Sequence, residues 1–219
     1  MHWSSIPIHI IDFEGTKTSG ILEYGIVTLH NNQITQTLSQ LCLPTGPINS
    51  QDFHLHRISQ IDTQNTLPFS HNWPLFSSLR STGPLTAHHA QTENTLLKHT
   101  WPYTKNSPDF LNPKLTSTSW GPWIDTCQLF KTLFPQLISY KLIHLINTFH
   151  LTDKLTKLTK KHCLPTRCQP HCALYDALAS TLLLQYIANL PELQHITITW
   201  LILNSTPHSH RQSLTQKSL

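Results

Sequence analysis

The chain has 219 residues, a length that suits one domain with a buried core better than two full domains. Charged residues make up 12% of it, less than the roughly 25% typical of soluble proteins, and 15 Lys and Arg against 11 Asp and Glu give a formal charge of +4. Five cysteines, an odd number, exclude a fully disulfide-paired secreted framework. The mild positive charge is compatible with a polyanionic partner.

The N-terminal residues carry no Lys or Arg ahead of their apolar positions. No later stretch reaches the 18 or so uninterrupted apolar residues of a membrane span. The sequence therefore predicts a cytoplasmic protein with no membrane association.

The first elements are predicted to be strands. Residues 6–13 are apolar and β-branched, which indicates a buried strand. Residues 23–30 and 33–38 have similar character and flank Asn31-Asn32, a pair typical of a tight turn. These residues predict a three-stranded meander.

The middle of the chain alternates between loops and short elements. Residues 44–74 are rich in loop-forming residues, and residues 85–88 predict a short strand. A helix is expected from Glu93 to the residue before Pro102, because proline ends helices. Residues 102–123 carry four prolines and several aromatic side chains and predict an ordered insertion.

Helices dominate the C-terminal part, with predicted spans at 127–134, 140–149, 152–162 and 171–189. Asp125 suits the N-cap of the first of these, with Gln128 three residues on. Because predicted strands come first along the chain and helices follow, the sequence predicts an α/β domain with a mixed sheet. We assign residues 1–190 to this domain and residues 191–219 to a partly flexible C-terminal extension, of which the last ten residues are frayed.

Asp12 and Glu14 lie two residues apart on the first predicted strand, so both carboxylates project from one face. Two uncompensated carboxylates on an apolar strand are costly, which makes a cation a natural partner. Asp-x-Glu is nevertheless a common pattern, and a solvated strand end would produce it as well.

Several segments resemble, in order, the motifs of the DEDDh exonuclease family. Their most specific member is His171-x4-Asp176, which is similar to the third motif of that family. The other matching segments are residues 10–16 for the first motif, 21–27 for the strand that follows it, 87–97 for the second motif and 123–145 for the segment between the second and third motifs.

The resemblance implies an RNase H-like fold with a mixed five-stranded sheet flanked by helices. It implies a metal-dependent 3′→5′ exonuclease that releases nucleoside 5′-monophosphates. On the matching positions, two Mg²⁺ or Mn²⁺ ions would bind Asp12, Glu14, Glu93 and Asp176, and His171 would act as the general base. The relatives include the proofreading subunit of bacterial replicative polymerase, so a single-stranded 3′ end, DNA rather than RNA, and a polymerase partner are expected.

The second motif departs from the family pattern at two positions. Glu93 stands where the family usually has Asp, and His89 stands where it usually has Asn. Glu93 could instead be an acid favoured by the helix macrodipole, and the role of His89 stays open. A nucleic-acid-binding module with weakened catalysis is therefore an alternative function, as is an RNA-trimming exonuclease.

The third motif constrains the start of the last long helix. Five residues on a helix correspond to about 140° of rotation, so His171 and Asp176 cannot share one face. We therefore expect His171 at or before the first turn, Pro170 at the helix start and Asp176 directed toward the strand carboxylates.

Nearby residues allow further interpretations. His171, with the nearby residues His162, Cys163, Cys168 and Cys172, could form a zinc site in an interaction domain, although the spacing is unlike paired zinc knuckles. A set of basic residues could contact substrate phosphates or simply solvate a helix end: Lys160, Lys161 and Arg167. A set of tryptophans is expected to pack in the core or a lid rather than stack on bases: Trp101, Trp120 and Trp123.

Overall fold

The computed structural model describes residues 1–206. Its main sheet is mixed and has five strands in the order β3-β2-β1-β4-β7, while β5 and β6 pair in a separate two-stranded sheet. The strands are β1 (Ile8–Thr16), β2 (Gly20–His30), β3 (Gln33–Leu41), β4 (Leu85–Ala87), β5 (Ser107–Pro108), β6 (Thr116–Ser117) and β7 (Ile124–Asp125).

Helices flank the main sheet, so the α/β architecture predicted from the sequence is confirmed. The α-helices are α1 (Ser50–His56), α2 (Gln60–Thr63), α3 (Trp73–Thr82), α4 (Ala90–Thr100), α5 (Thr126–Leu133), α6 (Leu142–Thr148), α7 (Thr152–His162), α8 (Ala173–Ala188) and α9 (Ile198–Asn204). Short 3-10 helices cover Phe69–Asn72, Pro165–Arg167 and Pro191–Leu193. Within residues 1–206, none of the helices combines the length and apolar character needed to cross a bilayer.

The strand directions bring several chain segments to one edge of the sheet. β1 is antiparallel to β2, and β4 is parallel both to β1 and to β7. The carboxyl ends of β1, β4 and β7 therefore meet at the same edge, where the start of β2 also lies. The segments that follow β4 and β7 begin the helices α4 and α5 at this edge.

Helix α8 lies across β1 and β2 and is apolar on most of its circumference, as expected for a buried helix. Its first turn approaches β2 at Gly25, which pairs with Asp12 of β1. A Cβ atom on Gly25 would lie 2.3 Å from backbone atoms of Ala173 and Leu174. Only glycine permits this approach, which brings the start of α8 to the strand residues of the first motif.

Two predicted helix starts differ from the structure. Helix α4 begins at Ala90, three residues before Glu93, and α8 begins at Ala173 rather than at residue 171. Pro170 therefore lies outside the helix, and the prediction that it begins α8 is wrong. The physical reason is the left-handed backbone of His171, whose φ of 62° is incompatible with a helical residue.

The insertion at residues 102–123 is anchored to the domain by Arg80 of α3. This fully buried guanidinium donates to the backbone carbonyls of Pro108 at 2.8 Å, of Ser119 at 3.2 Å and of Gly121 at 2.8 and 3.2 Å. The predicted ordered insertion is therefore confirmed.

The three tryptophans at the insertion pack as expected, two inside the core and Trp123 against it. Trp101 and Trp120 are buried, and the Trp120 indole donates to the Trp101 carbonyl at 2.8 Å. Trp123 is partly buried and donates to the side-chain oxygen of Asn94 on α4 at 3.2 Å. Core packing is thus confirmed for Trp101 and Trp120.

Residues 191–206 belong to the part of the chain assigned to the C-terminal extension. Helix α9 in this stretch places Ile198, Leu201 and Ile202 in the same core cluster as β1 and α8. The predicted frayed residues 210–219 lie outside the described residues.

Candidate metal centre and active site

Four carboxylates from three elements meet at the carboxyl edge of the sheet. Asp12 and Glu14 come from β1, Glu93 from the first turn of α4 and Asp176 from the first turn of α8. Their charges repel one another: the charge of Asp176 raises the pKa of each of the other three, after the larger effect of burial. Carboxylate oxygens of Glu14 and Asp176 lie within 4.8 Å of each other, and Asp12 and Glu93 are close enough to this pair for the charges to interact.

Burial and mutual repulsion change the protonation of this group. Burial, followed by the charges of Asp176 and Glu23, raises the pKa of Glu14 to about 8. Burial also raises the pKa of Asp176 to about 7, against the lowering effect of the His171 backbone N–H. The pKa values of Asp12 and Glu93 are raised well above their ordinary values, mainly by burial. Such shifts are typical of a site built to bind a cation.

Glu93 gives the clearest sign that a cation belongs in this group. Its side chain is 5% exposed, and its Oε2 atom is buried without a hydrogen-bond partner. The Phe13 backbone N–H favours the charged form of Glu93 and lowers its pKa in part. A carboxylate oxygen left in this state costs free energy unless a cation binds it.

The donor set fits hard divalent cations. All four side chains offer carboxylate oxygens, which are the ligands preferred by Mg²⁺, Mn²⁺ and Ca²⁺. Four unpaired carboxylates carry the charge that two divalent ions would neutralise. The residues present therefore fit the two ions implied by the sequence resemblance.

His171 lies beside this group. Its ring nitrogen and carboxylate oxygens of Glu14 and Asp176 are within 4.8 Å of one another, and its side chain is exposed. The backbone N–H of His171 donates to Asp176 Oδ2 at 3.1 Å, which fixes the left-handed turn before α8. The imidazole is therefore next to the carboxylates and open to solvent.

Glu23 and Arg167 were not recognised from the sequence as parts of this site. Glu23 is directly opposite Glu14 in the antiparallel register, is 1% exposed and forms an ion pair with Arg167 at 2.5 Å. Arg167 is therefore held inside the fold rather than at a solvated helix end, and its contact with substrate phosphates stays a prediction. The available signal was an isolated Glu inside the apolar run of β2, because such a residue needs a buried partner.

Asp125 is a structural cap, as predicted. It accepts the backbone N–H of Gln128 at 3.1 Å and of Ala90 at 2.9 Å, so it holds the starts of both α5 and α4. The neighbouring His88 is buried and uses both ring nitrogens in hydrogen bonds with Thr126 and with the carbonyl of Tyr140. These residues therefore stabilise the edge of the sheet.

His89 completes this edge with an exposed ring and a left-handed backbone, φ 68°. A ring nitrogen of His89, one of His88 and the Cys127 sulfur lie within 4.8 Å of one another. Because both nitrogens of His88 already have partners, this group has no free ligand set for a metal.

The alternative zinc site does not form in the described part of the chain. Cys163, Cys168 and Cys172 are free thiols, and the ring of His171 is instead close to Glu14 and Asp176. No metal-binding group combines His171 with these cysteines among residues 1–206. The zinc-stabilised domain is therefore not supported.

Two small clefts are lined by residues that belong to the candidate site or are next to its residues in the sequence. One, of about 270 Å³, is lined by His54, Leu55, Arg57, Gln169, Pro170 and His171. The other, of about 360 Å³, is lined by residues 15–17 and by residues of α4 around Glu93. A roomier cleft of about 820 Å³, lined by residues between 43 and 60, contains none of the carboxylates.

No protein-family model matches the chain, and no curated protein sequence matches it. Its fold does match solved structures of nucleases. Exonuclease X in complex with 5′ overhanging duplex DNA superimposes with a TM-score of 0.66 and 23% identity, over 91% of this chain and 99% of that chain.

Two further matches are more distant. A 3′-exonuclease, solved for 3′-end-specific recognition of a histone mRNA stem-loop, has a TM-score of 0.59 and 15% identity over 85% of this chain and 64% of that chain. The zinc-ion-bound complex of E. coli ExoI with ssDNA has a TM-score of 0.59 and 13% identity, over 87% of this chain and 42% of that chain. The chain thus spans almost all of Exonuclease X and less than two thirds of the other two. The predicted RNase H-like fold is confirmed.

Proposed function

We propose that the chain is a metal-dependent 3′→5′ exonuclease of the DEDDh family, which hydrolyses nucleic acid from its 3′ end to nucleoside 5′-monophosphates. The observation that carries this proposal is the convergence of four unpaired carboxylates, Asp12, Glu14, Glu93 and Asp176, beside the exposed ring of His171. Within residues 1–206, the only ion pair involves a different acid, Glu23, so these four are left for metal.

The four carboxylates would hold two Mg²⁺ or Mn²⁺ ions. When bound, these ions supply Lewis-acid chemistry, which activates a water and stabilises the leaving oxygen of a phosphodiester. Asp176 also helps to fix the residue that carries the imidazole, since it accepts the backbone N–H of His171. The protein would contribute the carboxylates that bind the ions and the contacts that orient His171.

His171 would act as the general base. Its ring is close enough to the carboxylates to meet a water bound among them, and imidazole is the commonest general base near neutral pH. The ring would take one proton from the attacking water and pass it to solvent, to which it is exposed.

The charge distribution supports a polyanionic substrate. If the four carboxylates of the site and the Glu23–Arg167 ion pair are left out of the count, the chain has 14 Lys and Arg against six Asp and Glu. Four exposed lysines lie on α7 and have no ion-pair partner among the described residues: Lys154, Lys157, Lys160 and Lys161. Helix α7 ends at His162, which hydrogen-bonds with Thr37 on β3, nine residues before His171. The lysines therefore form a basic surface on α7.

Single-stranded DNA is the substrate that we favour. Exonuclease X, whose chain is covered almost completely by this one, was solved in complex with DNA. RNA is the second candidate, because a histone mRNA stem-loop is the ligand named for another structural neighbour. A relation to the proofreading subunit of replicative polymerase, and hence a polymerase partner, stays a prediction from the sequence.

One departure favours a second candidate function, a nucleic-acid-binding module with weakened catalysis. Glu93 replaces the Asp that the family usually has, and its longer side chain changes the reach of the carboxylate. Because Glu93 Oε2 is buried beside the other acids, we give the exonuclease precedence.

The decisive experiment compares DNA and RNA strands of identical sequence, labelled at the 5′ end, with Mg²⁺, Mn²⁺ or a chelator. The expected result is metal-dependent shortening from the 3′ end with release of 5′-monophosphates, faster on DNA. An Asp12→Asn, Asp176→Asn variant is the matched control and should be inactive. Strand binding without any shortening would establish the binding module instead.

A further inference from the structure

A single buried carboxylate holds both ends of the segment that carries His171. Upstream, Arg167 donates from Nε to Glu23 Oε1 at 3.1 Å and from its terminal nitrogen to Glu23 Oε2. Downstream, the backbone N–H of Ala173, the first residue of α8, donates to Glu23 Oε2 at 2.9 Å. Glu23 therefore closes residues 167–173 into a short loop anchored on β2.

Arg167 also ties this loop to a third part of the domain. Its other terminal nitrogen donates to the carbonyl of His56, at the end of α1, at 2.6 Å. The planar guanidinium thus contacts β2 and α1 at once, with three nitrogens engaged in fixed directions. A lysine at this position could not make all three contacts.

His171 lies inside the closed loop and has few contacts of its own. Its side chain is exposed, and its backbone is in the left-handed region, where a residue other than Gly is held only by its surroundings. Its backbone N–H to Asp176 is the local anchor, while Arg167 and Ala173 hold the flanking chain. The direction in which the imidazole projects therefore depends on the loop of residues 167–173, which Glu23 closes.

We propose that Arg167 and Glu23 are a positioning pair for His171, which fixes the loop that presents the imidazole to the carboxylates. The proposal rests on the proposed function for its catalytic consequence, because it takes His171 as the general base. Neither residue needs to touch substrate. Misplacement of a catalytic group by about 1 Å can cost about a hundredfold in rate.

The test begins with Arg167→Met, measured on a DNA strand under saturating metal. We expect kcat to fall by about 10- to 100-fold, while KM and the metal concentration for half-maximal rate change by less than about threefold. Lys98→Met removes the same charge from an exposed site on α4 and should leave all three parameters unchanged. An equal loss in metal affinity would overturn the proposal, because Arg167 would then act through the charge of the site.

A second variant tests geometry against charge. Arg167→Lys keeps the positive charge and should fold, yet it cannot make the bidentate hydrogen bonds, so an intermediate kcat is expected. Wild-type kcat in this variant would overturn the proposal. The double variant Glu23→Gln, Arg167→Met restores the balance of charge but not the tether, so its kcat should stay as low as that of Arg167→Met. Recovery in the double variant would contradict a positioning role.

A readout independent of turnover separates this proposal from the proposed function. The ¹⁵N heteronuclear NOE of the His171 amide and of residues 168–172 should fall in Arg167→Met and not in Lys98→Met. Unchanged values would overturn the positioning role even if the enzyme is active. A drop in a protein that releases no mononucleotides would support the tether while the exonuclease proposal fails.

Discussion

Glu14 and Glu23 face each other across the antiparallel strands β1 and β2. Like charges in directly opposite positions destabilise a sheet, and here Glu23 is buried and Glu14 is partly buried. Arg167 cancels the charge of Glu23, whereas Glu14 is left beside Asp12, Glu93 and Asp176. The fold therefore retains a repulsion that an added cation, or protonation of the carboxylates, would relieve.

Replacing Glu93 by Gln separates the two interpretations of that residue. As a buried acid in a repulsive cluster, Glu93 destabilises the metal-free protein. Glu93→Gln should therefore raise the melting temperature in chelator at pH 8, by about 2–4 °C for each kcal/mol gained in the free energy of unfolding. The same variant should lose most of the stabilisation by Mg²⁺. Glu192→Gln, an exposed acid in a 3-10 helix, is the control. A lower melting temperature in chelator would favour the macrodipole interpretation.

Binding of metal should release protons. Glu14 and Asp176 have pKa values of about 8 and about 7, raised mainly by burial from 4.5 and 3.8, so both are partly protonated at pH 7 without metal. The metal-free fold thus binds more protons than the unfolded chain between about pH 4 and 8, and its stability falls as pH rises through that window. Since the ions need ionised carboxylates, affinity should rise from pH 6 to 8.

Titration calorimetry with Mg²⁺ or Mn²⁺ in two buffers of different ionisation enthalpy measures this proton release directly. At pH 7 the observed heats should differ between the buffers, and the difference should shrink at pH 9. Identical heats in both buffers at pH 7 would show that the carboxylates are already ionised without metal.

Removing the imidazole should affect rate and little else. His171→Ala is expected to lower kcat by about 10²- to 10⁴-fold, because a general base contributes that much, while the affinity for metal changes by less than about threefold. Calorimetry and steady-state kinetics on one DNA strand measure the two quantities. His99→Ala, an exposed histidine on α4, serves as control. Unchanged turnover over a range of pH would remove His171 from the mechanism.

The basic surface on α7 should affect long substrates only. Changing Lys154, Lys157 and Lys161 to Gln should raise KM for a long strand. The plot of the logarithm of affinity against the logarithm of salt concentration should become less steep, by about 0.7 for each phosphate that the variant no longer neutralises. Turnover of a p-nitrophenyl ester of thymidine 5′-monophosphate, too short to reach α7, should not change. The comparison variant carries the same change at three other exposed lysines: Lys98, Lys105 and Lys114. Equal salt slopes in both variants would rule out a special role for α7.

Local patterns were sufficient to predict much of the fold. Alternation along a strand correctly placed Asp12 and Glu14 on one face, because a two-residue period is a property of extended backbone. Asp125 was recognised as a cap from Gln128 three residues on, and the Gln128 N–H does bond to it. Such features depend on neighbours in the chain, which the sequence shows directly.

Features that depend on distant partners were missed. Glu23 and Arg167 are 144 residues apart, and nothing local in either segment indicates that they meet. The start of α8 was misplaced by two residues for a related reason. A glycine at position 171 would have indicated a left-handed residue, but a histidine takes that conformation there because Asp176 binds its N–H.

Arg80 has a consequence for how the insertion can be used in experiments. Its buried guanidinium donates hydrogen bonds to carbonyls of Pro108 in β5 and of Ser119 and Gly121 after β6, so opening of residues 102–123 would break all of these bonds. Surface loops generally accept affinity tags, labels or nicking by proteases. This segment, although loop-like in composition, should resist proteases. The amides of the residues that Arg80 contacts should exchange with deuterium slowly, at rates similar to those of the amides in α3.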